Sequence, residues 1–251
     1  MIYLRLVKGS DQRDIFLTGF VLSVHDCWLL MTAGHCITDI EKCREKGYQI
    51  TAARLLDGLA ANALFQDQPV PFDYDSANPM MIGRHHTADY GVLFVPDNTR
   101  AQLEASGFVA LSEKWWEPEE DRIDKLWVVG SPEAGNERLG PDRFRVMSIA
   151  IPLVEEKEMP DGFEEPELPA FYGRLLENPL PSLKGLSGSP IFAVTSEGER
   201  ARYRLYAMQV SALRGENYVS GMFIRPLAKV LKEVAEGTHT PGRQAEAAGN
   251  T

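Results

Sequence analysis

Late in the chain, Gly185-Leu186-Ser187-Gly188-Ser189-Pro190 sets a serine between glycines, and the apolar run Ile191-Phe192-Ala193-Val194 follows at once. Glycine lets a backbone turn tightly and brings amide hydrogens close to a ligand. Amides arranged this way form a nest for a developing negative charge. A serine held in such a turn attacks a carbonyl carbon once a base takes its proton. The plainer alternative is a small-residue turn that starts a strand, so the chemical reading needs a base and a group to orient it. His35 closes the run Trp28-Leu29-Leu30-Met31-Thr32-Ala33-Gly34, and imidazole titrates near neutral pH. The alternative there is a core histidine bonded to backbone. Asp89 stands just before Tyr90-Gly91-Val92-Leu93-Phe94-Val95, where it can face inward and accept a bond from a histidine. Its alternative is a turn residue ahead of a strand.

The elements that would position these residues are mostly strands. Residues 1–8, 15–24, 48–56 and 89–95 are apolar and β-prone, with Gly19 marking a bend or bulge. His35 falls at the end of a buried strand. Residues 60–78 read as irregular because Pro71 and Pro79 break any pattern, and residues 98–106 as a short helix. The acidic segment 113–124, which contains Pro118, separates two lobes. A second series of strands covers residues 125–132, 144–154, 170–176, 191–195, 203–211 and 217–224. Residues 226–235 carry Leu227, Val230, Leu231 and Val234 at helical spacing, and Gly237 stops that helix. Many short strands with turns between them suggest antiparallel barrels.

The bulk composition narrows the function. The chain has 251 residues, enough for one large domain or two small lobes. Its formal net charge of -10 argues against nucleic acid, which calls for a basic footprint. No stretch approaches the length of a membrane span. Charges interrupt the apolar N-terminal run, which is therefore not a secretory signal. Three cysteines, Cys27, Cys36 and Cys43, leave at least one unpaired, as in a reducing compartment. A cytoplasmic location is the expectation. No Cys/His spacing suggests zinc, and His85 and His86 read as a solvated pair. No metal or organic cofactor is expected.

The three motifs now stand in the order histidine, aspartate, serine. Thr32-Ala33-Gly34-His35-Cys36, Asp89-Tyr90-Gly91-Val92-Leu93 and Gly185-Leu186-Ser187-Gly188-Ser189-Pro190 together resemble the chymotrypsin-like (trypsin-like) serine proteases, over roughly residues 15–236. The α/β-hydrolase alternative fails on order, since there the serine comes first. It also needs glycine where this chain has Ser189.

The resemblance implies an all-β fold of two antiparallel six-stranded β-barrels with a C-terminal α-helix. An N-terminal lobe, 1–112, would carry His35 and Asp89. A linker, 113–124, would lead to a second lobe, 125–237, carrying Ser187. Residues 238–251 would be a disordered tail or linker. Ser187 would be the nucleophile of a serine endopeptidase, His35 its base and Asp89 the group that orients the base. The amides of Gly185 and Ser187 would form the oxyanion hole. A protein or peptide substrate would pair with the strand at Gln209-Val210-Ser211, with Ser211 beside Asp89. Pocket walls are expected from residues 178–184, 211–213 and 220–222, including Pro181, Ser182, Ser211, Ala212, Leu213 and Gly221.

The departures from that pattern are informative. Secreted, zymogen-activated members have an aspartate just before the nucleophile, whereas this chain has Leu186 and no activation sequence of the Ile-Val-Gly-Gly kind. Maturation by N-terminal cleavage is not expected. The family's disulfide partner for Cys36 would fall near Gly19-Phe20, so a bacterial-type intracellular branch is implied. Pro181-Ser182 provides no acid for Lys or Arg substrates, and Val210 stands where glutamate-specific members have histidine. A neutral pocket is expected, unless Lys184 points into it. The alternative function is a protease-fold binding module, or a latent effector domain that needs a regulatory protein or further domain to order its oxyanion hole.

Overall fold

Alternating apolar residues open the chain as a hairpin. β1 (Ile2–Lys8) and β2 (Asp11–Leu17) run antiparallel, with Ile2 opposite Leu17. β3 (Phe20–Val24) and β4 (Cys27–Ala33) form a second hairpin whose turn places His25 and Asp26 at positive φ. There follow α1 (Gly34–Glu45), β5 (Gln49–Leu55), β6 (Val70–Pro71), β7 (Met80–Ile82), β8 (Tyr90–Phe94), α2 (Asp97–Ala105) and β9 (Leu111–Ser112). The computed structural model describes residues 1–56, 69–82, 89–116, 122–141, 143–165, 169–198, 200–213 and 217–237. His85 and His86, the acidic stretch 117–121 and the tail 238–251 lie outside the described residues.

The strands of this half form two sheets, ordered β2-β1-β5-β6 and β7-β8-β4-β3-β9. Among the described residues they do not close into the six-stranded barrel expected for the first lobe. The cause is visible at Thr18-Gly19. The run 15–24, expected as one strand, breaks there, and β2 and β3 join different sheets. A Cβ on Gly19 would lie 2.6 Å from the Met31 carbonyl oxygen, so the backbones touch where only glycine fits. Leu4, Leu6, Leu30, Leu93 and Ile40 pack between the two sheets and α1.

The second half contains β10 (Lys125–Gly130), β11 (Glu137–Gly140), β12 (Arg143–Arg145), β13 (Ile149–Glu155), β14 (Ala170–Leu175), β15 (Pro190–Glu197), β16 (Arg200–Ala212) and β17 (Tyr218–Phe223), then α3 (Ala228–Ala235) after a 3₁₀ turn at Arg225–Leu227. Six of its strands close a barrel in the order β10-β13-β14-β17-β16-β15. Val128, Ile151, Phe171, Ile191 and Val219 fill its interior. β11 and β12 pair separately, and Phe144 stacks on Tyr3 with centroids 4.6 Å apart, fastening this hairpin to the first half.

A third cluster joins the halves. Leu22, Met31 and Val92 meet Met208, Ile224 and Leu231 there. The segment expected as an open linker begins inside this cluster, where Trp116 is buried and Trp115 stacks on Tyr203. No described helix is long and apolar enough to cross a membrane. α3 lays its apolar stripe into the shared core, and Leu231 is completely buried. Leu231→Ala should therefore lower unfolding free energy by about 2–5 kcal/mol, measured by denaturant melts.

Candidate functional site

β4 ends buried, and the chain turns directly into α1. The structure thus corrects the expectation of a strand-end histidine, because His35 occupies the first turn of a helix. The first amides of a helix have no partners within it. Asp89 supplies them. Its carbonyl accepts the Gly34 N–H at 3.0 Å, and its Oδ1 accepts the His35 N–H at 2.7 Å. Gly34 is needed for this approach, since a Cβ there would sit 2.8 Å from Asp89 Oδ1. β8 carries the aspartate into place beside β4, with Ala33 opposite Tyr90. The Tyr90 hydroxyl donates to the Phe223 carbonyl on β17, tying this corner to the barrel.

The second carboxylate oxygen meets the imidazole. Asp89 Oδ2 lies 2.6 Å from His35 Nδ1. A carboxylate only accepts, so Nδ1 carries the proton and Nε2 is left for chemistry. The ring stays 44 % exposed. The bond to Asp89 raises the His35 pKa from 6.5 to about 10, with Cys36 acting in the same direction and burial opposing both. A raised histidine pKa stabilises the fold below pH 6.5, and that contribution is lost as pH rises through about 10. The buried Cys36 thiol is free, as are Cys27 and Cys43.

Ser187 comes to the same place on its glycine turn. Gly185 and Gly188 have φ of 89° and 91°, a conformation that side chains rarely adopt. A Cβ on Gly188 would lie 2.6 Å from Thr32 Oγ1 and also collide with the Thr18 carbonyl. The turn is therefore pressed against the end of β4, three residues before His35. Gly188 N–H donates to the Gln209 carbonyl and Gln209 N–H to the Ser189 carbonyl, each at 2.8 Å.

The amides around Ser187 divide into two sets. Leu186, Gly188 and Ser189 donate to Leu183, Gln209 and Leu186 respectively. Among the described residues, the N–H groups of Gly185 and Ser187 donate to no backbone or side chain. Their orientation follows from the carbonyls. In a trans peptide the C=O and N–H point opposite ways, and no described peptide is cis. Lys184 O accepts Glu133 N–H at 2.9 Å and Leu186 O accepts Ser189 N–H at 2.8 Å. Both carbonyls are thereby turned away, leaving the Gly185 and Ser187 amides as open donors. Leu186 is 1 % exposed, an apolar plug at the position for which the sequence comparison raised an aspartate.

The remaining expected residues separate. Ser211 does not bond Asp89. Its Oγ pairs with Ser220 Oγ at 2.7 Å, and the ladder between β16 and β17 shifts between Gln209 and Ser211. That bulge changes which residue faces the turn, and it is the Val210 carbonyl that accepts the Ser187 hydroxyl, at 3.2 Å. No hydrogen bond joins Ser187 to His35. Gly221 lies on β17, where a Cβ would be 2.8 Å from the Met208 carbonyl oxygen. Ala212 packs on the barrel core and Leu213 N–H donates to Tyr218 O. Pro181 and Ser182 are exposed, with Ser182 Oγ accepting the Lys184 amide. Lys184 Nζ bonds Glu133 at 2.8 Å. Among the described residues, no group of three or more metal-ligating side chains gathers. Thr18, Glu133 and Val210 were not legible as site residues, because each acts through a contact distant in sequence. α1 was missed, although Cys36, Ile37, Ile40 and Cys43 have the helical spacing that could have found it.

One closed barrel, a two-sheet lobe before it and a helix after it make this a chymotrypsin-like fold. The solved structures agree. A thermostable serine protease, AL20, from an extremophilic microorganism is similar at TM-score 0.51 and 12 % identity, covering 95 % of this chain and 97 % of that one. The scabies mite inactivated protease paralogue S-I1 is similar at TM-score 0.52 and 12 % identity, covering 94 % and 93 %. No protein-family model matches the sequence, and no curated protein matches it.

The His35 environment makes a direct prediction. The imidazole should titrate above 6.5 and toward 10 in a nuclear magnetic resonance pH series, and Asp89→Asn should bring the midpoint back down.

Proposed function

We propose that the chain is a serine endopeptidase in which His35, Asp89 and Ser187 act as a catalytic triad. The observation that carries this reading is the pair of open amides at Gly185 and Ser187, on the turn that is pressed against Thr32, three residues before His35. In the proposed reaction the Ser187 hydroxyl oxygen bonds to the scissile carbonyl carbon while His35 Nε2 takes its proton. The carbonyl oxygen becomes an oxyanion and receives the two amides, a stabilisation worth ~10²–10³ in rate per donor. Asp89 holds the tautomer and faces the imidazolium. The C–N bond then breaks, the leaving amine takes the proton from His35, and an acyl-enzyme remains. Water, deprotonated by the same imidazole, releases the acid and restores Ser187.

The substrate is a protein or peptide whose extended backbone pairs with the strand at Gln209-Val210-Ser211. A neutral residue before the scissile bond is favoured, since Pro181-Ser182 carries no charge and Lys184 is paired with Glu133. The buried, apolar Leu186 supports a site that needs no N-terminal cleavage.

A second reading rests on one contact. Ser187 donates to Val210, and the serine must rotate before His35 can serve it. This favours a latent protease that a partner or substrate completes.

A fluorophosphonate ester tests both, because it needs an activated serine and a formed oxyanion hole. The native chain should label at Ser187, Ser187→Ala should not label, and His35→Ala should label on the order of 10⁴-fold more slowly. Labelling that persists in Ser187→Ala would reject the triad. A folded native chain that stays unlabelled would select the latent reading.

A further inference from the structure

Three successive carbonyls of the serine turn are held, and they are held by different parts of the molecule. Lys184 O is bonded by Glu133 N–H and Leu186 O by Ser189 N–H, both from the barrel half. Gly185 O is bonded from the other half, by Thr18 Oγ1 at 2.7 Å. This central peptide lies between the two open amides. Its orientation determines where both amides point.

Thr18 is built for that task. It sits at the break between β2 and β3, where no ladder claims its side chain, and it is 4 % exposed. Its hydroxyl accepts the Ser131 N–H at 3.1 Å while it donates to Gly185. A hydroxyl has one proton and two lone pairs, so both roles are filled at once. Its own carbonyl accepts the hydroxyl of Thr32 at 2.8 Å. Thr32 is fully buried, three residues before His35. One residue therefore links the strand that delivers the imidazole to the peptide that aims the amides. Ser131 is anchored in turn, its Oγ bonding Met147 O at 2.8 Å and Asn136 Oδ1 at 3.1 Å.

We infer that Thr18 is a positioning residue that sets the oxyanion amides against His35 across the junction of the two halves. The inference rests on the peptidase reading of this site. Thr18 touches no reacting atom. Its hydroxyl fixes distance and angle, and a misplacement of about 1 Å at such a site costs on the order of 10²-fold in rate.

Thr18→Val keeps the shape and removes the hydroxyl, whereas Thr18→Ser keeps the hydroxyl. In saturation labelling with a fluorophosphonate ester, Thr18→Val should lower kinact about 10- to 100-fold with KI within a few-fold of native. Thr18→Ser should restore kinact to within a few-fold. A loss confined to stability would lower the melting temperature without this split. Thr18→Val labelling at the native rate, or Thr18→Ser failing as badly as valine, would overturn the inference. If valine does not fold, Thr18→Ala carries the same expectations. If the native chain itself does not label, the peptidase reading has failed separately, and backbone hydrogen exchange decides the positioning role. Exchange at Leu186, Gly188 and Ser189 should then quicken at least tenfold in Thr18→Val and not in Thr18→Ser. Unchanged exchange would overturn the inference.

Discussion

The hydrogen bonds of Asp89 are the constraint on which the site depends. One residue accepts the Gly34 and His35 amides and also binds the imidazole at Nδ1. The carboxylate thus ends a helix and orients a side chain together. A carboxylate at a helix N-terminus also meets the positive end of the helix dipole, worth up to about 2 kcal/mol when partly buried. The geometry allows little alternative. Gly34 leaves the room that the carboxylate fills, and β8 brings it there in register with β4. Substituting any of these would move the imidazole and the helix start as one unit.

The serine turn obeys the same logic on the opposite side. Its glycines are required by contacts rather than by flexibility. Gly188 is pressed on Thr32 and Thr18, and a Cβ on Gly185 would meet the Glu133 amide at 2.5 Å. The turn and the imidazole therefore approach through backbone, with Thr32 and Thr18 between them. The shared core formed by Met31, Val92, Met208 and Ile224 lies behind this junction and resists sliding of one half on the other.

Local chemistry decided what could be read from the sequence. Most strands of the second half, the stripe of α3 and the glycine-flanked serine announce themselves by period and residue type, whereas β11 and the break between β12 and β13 inside the run 144–154 do not. So do His35 and Asp89, each at the end of an apolar run. What failed was everything that depends on partners distant along the chain. Gly19 marks a bend or bulge within the run 15–24, but that the run splits there between two sheets depends on the touching Met31 backbone. The slip between Gln209 and Ser211 has no local signal, and Ser211, expected beside Asp89, pairs its Oγ with Ser220 Oγ instead. A hydroxyl such as Thr18 carries no local signal at all, since its partners are 113 and 167 residues away.

The raised His35 pKa bears on the role proposed for the Ser187 hydroxyl. While His35 holds both ring protons, Nε2 can only donate, and a serine O–H pointing at it would set proton against proton. The Ser187 hydroxyl donates to Val210 O instead. The strength of the Asp89 bond therefore has two opposite consequences. It holds the imidazole in position, and it favours the protonated ring, which in the proposed reaction has to lose its Nε2 proton before acting as a base. Displacing water from around an exposed imidazolium disfavours the charged form. In the proposed reaction a substrate strand laid beside Gln209-Val210-Ser211 would do that and bring the pKa down. On this argument the latent and active readings are two protonation states of one arrangement, and the occupant of the cleft selects between them.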